Sequence, residues 1–439
     1  ALGKAVEAAG VTLINSGIGW HEARVPTIVT SVPRAAFTWI TKKVKEHLTI
    51  PEVAVNRINT PQVAEQLLAD GVADMVSMAR PLLADAHFVA KAQQGQPEKI
   101  NTCIACNQAC LDHVFENKRA SCLVNPQACY ETELVFPPAA VAKRIAVVGA
   151  GPAGLEFATR AATRGHQVEL YDAAADIGGQ FNYAKQIPGK EEFHETLRYY
   201  RERLQDTGVR VHLNQRVTAA TLSAHDYDEV VIATGVVPRV VTMPGSDHPK
   251  VLGYLDVLRD HRPVGQKVAI IGAGGIGFDV AEYLTPEQSP TLDIEEWSRL
   301  WGVDQKYAER GGLMPPQPES TPREVWLLQR KTSKVGAGLG KTSGWVHRAT
   351  LTKKGVKMLA GVTYKEINDQ GLLIDIDGKE QLLPVDHVVI CAGQLPQREL
   401  HDELLAQGCS VHLIGGANVA AELDAKRAIR QGAELAARL

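Results

Sequence analysis

No stretch of this 439-residue chain approaches the ~18 consecutive apolar residues of a membrane helix, so no membrane-spanning segment is expected. Positive charge is not in excess. The 47 Lys and Arg stand against 50 Asp and Glu, mixed along the chain, for a net charge of −3. That excludes an extended basic face for nucleic acid. Aromatic residues are scarce at 5%, which also argues against a base-stacking platform. The amino terminus, Ala1-Leu2-Gly3-Lys4-Ala5, lacks the apolar core of a signal peptide. It also lacks an initiator Met and starts mid-pattern, so an upstream segment is expected. The seven cysteines are odd in number and four of them are crowded together, which is not a secreted disulfide framework. A reducing cytoplasm, with the thiols committed to metal, fits better.

What is present is an ordinary globular balance, 45% hydrophobic and 22% charged, long enough for about three units of roughly 150 residues. Residues 1–90 alternate short apolar strands with helices: strands at Val11–Ile14, Val53–Val55 and Asp74–Met78, helices at Phe37–His47 and Pro61–Ala69. This pattern predicts a parallel sheet. Each strand runs into polar residues, as the strand ends of a (β/α)8 barrel do at its active face. Three strands are too few to close such a barrel, so the remainder is expected from upstream residues or another chain. His21, after the first strand, is a candidate proton relay there, with an ordinary structural histidine as the alternative. Arg57 and Arg80 end the next two strands, where guanidinium groups hold a flavin phosphate or form plain salt bridges.

From Lys143 onward the pattern sharpens. Arg144–Val148 reads as a strand, Gly149, Gly151 and Gly154 as the turn of a dinucleotide site, and a helix follows. Asp172 closes the next strand about 20 positions on, where it accepts from a ribose hydroxyl. The arrangement recurs at Lys267–Ile271 with Gly272, Gly274 and Gly277. Here no acid ends the next strand; Arg330, Lys331 and Thr332 stand there instead, which favours a 2′-phosphate and hence NADP(H) over NAD(H). The first unit, followed by Gly178, Gly179 and Gln180, is the better FAD candidate. No cysteine occurs between Cys129 and Cys391, so a redox disulfide beside that FAD is excluded. Residues 288–321 read as a surface insertion.

The exit for electrons is then the stretch Cys103, Cys106, Cys110 and Cys122. Four thiolates suit tetrahedral zinc or an iron–sulfur cluster. Zinc sites more often show two separated C-x2-C pairs, and a compact triple with a distant fourth favours the cluster. Zinc and unligated thiols remain the alternatives.

These residues together resemble the bacterial NADPH-dependent 2,4-dienoyl-CoA reductases, relatives of trimethylamine dehydrogenase in the old yellow enzyme group, over about their carboxy-terminal two-thirds. The resemblance rests on Gly19-Trp20-His21-Glu22-Ala23-Arg24, Ala79-Arg80-Pro81, the cysteine spacing, both glycine turns and Glu422 to Ile429. It implies FMN in the barrel, held by Arg57, Ala79 and Arg80, and a [4Fe–4S] cluster on the four cysteines. It implies FAD on Gly151, Asp172, Gln180, Ala417 and the segment Asp424, Ala425, Lys426, and NADPH phosphate on Lys331 and Thr332. His21 would assist protonation of an acyl-CoA thioester in the β-oxidation of unsaturated fatty acids. Electrons would run from NADPH to FAD, singly through the cluster to FMN, and then as hydride to substrate. The sister readings are an enoate or amine oxidoreductase with the same relay, or an electron-transfer module. The family's proton-donating tyrosine would lie upstream of these residues, and Gly415-Gly416-Ala417 replaces a Gly-Asp of related FAD folds, so the flavin there would be held by backbone N–H groups or not at all. The expected organisation is an α/β chain: a barrel end over 1–100, an iron–sulfur loop and linker over 101–140, an FAD unit over 141–245 and 385–439, and an NADP(H) unit over 246–384.

Overall fold

The computed structural model describes residues 1–20, 23–420 and 424–439. Its first strands, Ile14–Ser16, Glu52–Ala54 and Met75–Val76, lie parallel and side by side in chain order. Helices Thr38–Lys45 and Pro61–Ala69 fill the two crossovers. The second helix starts on strong local signals: Thr60 accepts from the Val63 N–H and Pro61 occupies the first turn. The expected strand at Val11 begins only at Ile14. Val11 and Leu13 are exposed, and the ladder opens where the Ile14 N–H donates to Pro51 O.

The first nucleotide unit is a five-stranded parallel sheet in the order Val411–Leu413, Glu229–Ile232, Arg144–Val148, Gln167–Tyr171, Arg210–His212. Its central strand is buried beyond Arg144, as expected of a strand covered on both faces. Helix Pro152–Thr163 packs against the last helix, Ala425–Arg438. Gly432 permits this close crossing, because a Cβ there would lie 2.5 Å from Ala153 O.

The second unit repeats the plan in the order Lys357–Leu359, Glu324–Leu328, Lys267–Ile271, His387–Ile390, Val251–Gly253, with an antiparallel sheet of Thr363–Asn368, Gly371–Ile376 and Lys379–Leu383 beside it. The strand His387–Ile390 pairs with Lys267–Ile271, so the return to the first unit comes after it and not at residue 385. Where the chain crosses between units, Val236–Pro238 and Gln394–Pro396 pair antiparallel and tie the two crossings together.

The segment 288–321 is not a surface appendage. Its helix Ile294–Trp301 carries apolar residues on one face, and that face is buried. Trp297 and Trp301 pack with Val29, Val32, Ala36 and Phe37 of the amino-terminal segment, with Phe37 edge-on to Trp297 at 5.8 Å. The insertion therefore fastens the second nucleotide unit to the barrel end. Nothing in its sequence periodicity names the partner, because the partner lies some 260 residues upstream, as Thr291 bonding to Ser31 O illustrates.

Candidate functional site

The cysteine stretch forms little regular structure, yet residues 101–105 are all buried. Ile104, Leu123 and Val124 fill a core between Ala84 of the barrel end and Phe181, Leu197 and Ile429 of the first nucleotide unit. Left-handed backbone at Ala105 (φ 53°) and Asn107 (φ 62°) curls the loop so that Cys103, Cys106 and Cys110 converge. The Ser121 N–H donates to Ala109 O at 2.7 Å and returns Cys122 to the others. All four cysteines line one small cavity with Arg80 and Asn107. Burial pushes the thiols of Cys106, Cys110 and Cys122 up, and neighbouring cysteines push each of them further, while Arg80 pulls Cys110 back. Among the described residues no three His, Cys, Asp or Glu groups stand preassembled as a metal cage. The donor set itself, four sulfurs on one buried cavity, fits a thiolate-bound centre whose positive charge offsets their mutual repulsion.

A second cavity, with about 1700 Å3 of empty space, opens over the first glycine turn. Gly149, Gly151, Asp172, Gly179, Gln180, Asp424 and Ala425 line it. Two glycines there are required by geometry: a Cβ on Gly154 would meet Gly149 O at 1.9 Å, and one on Gly179 would meet Gly151 Cα at 3.0 Å. Asp172 accepts from the Ala150 and Ala174 N–H groups, both at 2.7 Å, which leaves each oxygen a lone pair for a ribose hydroxyl. Ala417 points elsewhere, into the core beside Val148 and Ile232, and Gly416 lines the cavity in its place. Lys426 reaches back toward His113 of the cysteine loop at 3.3 Å.

Two residues missed in the sequence join these cavities. Leu123, immediately after Cys122, lines both, so a single side chain separates them. Gln108 lines the larger one, and its buried Oε1 has no partner among the described residues. An orphaned acceptor on a residue that lines a nucleotide cavity is compatible with a flavin, which carries a ring N–H. A polar amide between two of the closely spaced cysteines, Cys106 and Cys110, was the available signal.

In the second unit, Gly272 (φ 108°) and Gly277 build the same turn, a Cβ on Gly277 falling 1.8 Å from Gly272 O. Gly274 and Gly275 face open space. Arg330, Lys331 and Thr332 are exposed beyond the strand Glu324–Leu328. At the barrel end Ala79 is exposed and Arg80 donates to Asn107 Oδ1 at 2.5 Å, joining the last strand end to the cysteine loop. His21 lies outside the described residues.

Arg57 is turned away from the open face. Its buried guanidinium donates to Val32 O at 2.9 Å and to Glu192 at 2.6 Å. Glu192 also accepts from Arg34 at 2.6 Å and from Asn59 at 3.1 Å, and Asn59 in turn donates to Cys103 O at 2.9 Å. One buried carboxylate thus ties the barrel end, the first nucleotide unit and the cysteine loop. Burial opposes its ionisation, but Arg57 and Arg34 outweigh that and hold the carboxyl at about 2.

Residues 143–424 match the profile of "Pyridine nucleotide-disulphide oxidoreductase" and residues 2–99 that of "NADH:flavin oxidoreductase / NADH oxidase family". A metal reductase of Desulforamulus reducens is 36% identical over 94% of this chain and 62% of its own length. A cinnamate reductase of Clostridium sporogenes is 28% identical over 94% of this chain and 57% of its own. A solved structure of 2-naphthoyl-CoA reductase with 2-naphthoyl-CoA superposes with a TM-score of 0.87 at 30% identity, over 100% of this chain and 62% of that one. The chain therefore spans about three-fifths of the length of the relatives it matches.

Proposed function

Since the chain belongs to the pyridine nucleotide-disulphide oxidoreductase family and carries an NADH:flavin oxidoreductase segment in front of it, we propose that it forms part of an NADPH-dependent reductase of conjugated acyl thioesters, 2,4-dienoyl-CoA in particular. The observation that carries this reading is the shared wall. The four-cysteine cavity touches the nucleotide cavity through Leu123 on one side and the barrel-end Arg80 on the other. When bound, FAD supplies two-electron acceptance from NADPH, a [4Fe–4S] cluster single-electron passage, and FMN delivery of hydride to the substrate.

The chain's own part is binding and orientation. The turn at Gly272 to Gly277 brings backbone N–H groups to the NADPH pyrophosphate, and Arg330, Lys331 and Thr332 take its 2′-phosphate. Asp172 would orient the FAD ribose, and Gln108 would offer an acceptor on the same cavity. Cys103, Cys106, Cys110 and Cys122 hold the cluster. Ala79 and Arg80 would hold FMN, and His21 would handle the substrate proton. A conjugated acyl substrate is supported by two relatives named for cinnamate and 2-naphthoyl-CoA, the latter a thioester. Metal, zinc and flavin analysis of the full-length protein, followed by anaerobic NADPH titration with a dienoyl-CoA present, tests the reading. It fails if iron is absent or if NADPH reduces no second flavin.

Replacement of Lys331 by alanine is expected to weaken NADPH binding by about 10-fold while leaving NADH binding nearly unchanged, since a charge-assisted contact to phosphate is lost. Equal losses for both nucleotides in a binding titration would assign Lys331 to the fold instead. A second reading, electron delivery to an external acceptor, draws on the relative named as a metal reductase. It calls for electron transfer to added acceptor without any turnover of dienoyl thioester.

A further inference from the structure

The loop that follows the exposed cations does not end in solvent. Gln329 Nε2 donates to Lys331 O at 3.0 Å and to Ser333 O at 2.6 Å, so the cation turn is held by the strand before it. Val335 and Gly336 are then buried, and Gly336 lies against Phe278 of the helix Gly275–Leu284, leaving no room for a side chain. Arg348 Nη1 donates to Gly336 O at 2.9 Å. The loop finally reaches the cysteine segment. Asp112, two residues after Cys110, is buried, and its Oδ1 accepts from the Thr342 N–H at 2.9 Å and the Thr342 hydroxyl at 2.6 Å. Thr342 is itself buried, and the Asp112 N–H donates to Asn107 O within the curl of cysteines.

We infer that Asp112 is a positioning residue that couples the two sites. A 2′-phosphorylated adenosine nucleotide on residues 330–334 steadies the loop to Thr342, and Thr342 steadies Asp112 and the backbone between Cys106 and Cys122. The coupling rests on the function proposed above, because it needs both a 2′-phosphate on the cation turn and a metal centre on the cysteines. Coupling between binding sites is reciprocal, so the nucleotide tightens the cysteine-held metal by the factor by which the metal tightens the nucleotide. The physical basis is the set of fixed points along this loop, at Gln329, at Gly336 and at Thr342.

The experiment uses the full-length protein with its iron. Iron loss to a chelator is followed with no nucleotide, with NADP+ and with NAD+, after NADP+ affinity and iron content have been measured separately. NADP+ is expected to slow iron loss about 5-fold or more, NAD+ to do so hardly at all. Asp112→Ala should lose the NADP+ effect, Thr342→Val, which keeps the backbone N–H bond to Asp112, should weaken it, and Asp112→Asn, which keeps an accepting oxygen for Thr342, should preserve it. A merely structural Asp112 would change iron loss equally with and without nucleotide. Protein that binds NADP+ and holds iron, yet releases it at one rate under all three conditions, overturns the coupling alone. Protein without iron or without affinity for NADP+ overturns the function beneath it and the coupling with it.

Discussion

Replacing Glu192 by alanine is expected to destabilise the folded chain by about 3–5 kcal/mol, the range for removing one partner of a buried ion pair. The size follows from what remains. The Arg57 side chain is only 2% exposed, and without the carboxylate its charge is left with a single backbone carbonyl. Arg34, at 32% exposure, can turn toward water and contributes less. Asn59 loses one of its two acceptors, which loosens its hold on Cys103 O. The same group sets a pH dependence. Its carboxyl lies at about 2, below the ordinary 4.5, so the folded state binds fewer protons than the unfolded state between these values. The stabilisation is therefore complete above about pH 4.5 and declines as pH falls toward 2. Urea unfolding of wild type and Glu192→Ala across that range should show the gap between them closing with acid. A constant gap would mean that Glu192 acts by packing and not by charge.

Cys106→Ser is expected to remove protein-bound iron and NADPH-driven turnover of the thioester, while a flavin reducible by NADPH is retained. Cys106 sits mid-loop in the compact triple, and its thiol is pushed up by burial first and then by Cys110 and Cys122. Serine keeps the size but offers a harder, far more basic oxygen that a thiolate site accepts poorly. The flavin readout separates the two cavities, because the glycine turn and Asp172 line the nucleotide cavity and Cys106 does not. Iron analysis, the visible spectrum and NADPH titration check this together. Bound zinc with no iron in the wild type, or unchanged turnover in the variant, would falsify the assignment of the cysteines to an electron-carrying centre.

The sequence by itself determined whatever depends on short-range chemistry. Gly149 to Gly154 and Gly272 to Gly277 were legible because a Cβ at the third glycine of either turn would collide with the carbonyl of the first. Asp172 was legible from its distance along the chain, and the four cysteines from their spacing. Only the tertiary structure decided what those parts touch. Glu192 looks like a solvated acid at a helix start until Arg57 arrives from 135 residues upstream. Asp112 finds Thr342 across 230 residues, Trp297 finds Phe37 through a helix whose own pattern names no partner, and His387–Ile390 joins the second sheet by pairing with a strand begun at Lys267. Backbone conformation is set by neighbours in sequence, whereas the burial of charge and the choice of packing partner are set by which distant surfaces exclude water from one another. The glycine turns and cysteine curl are of the first kind; the shared wall at Leu123, which makes one site of them, is of the second.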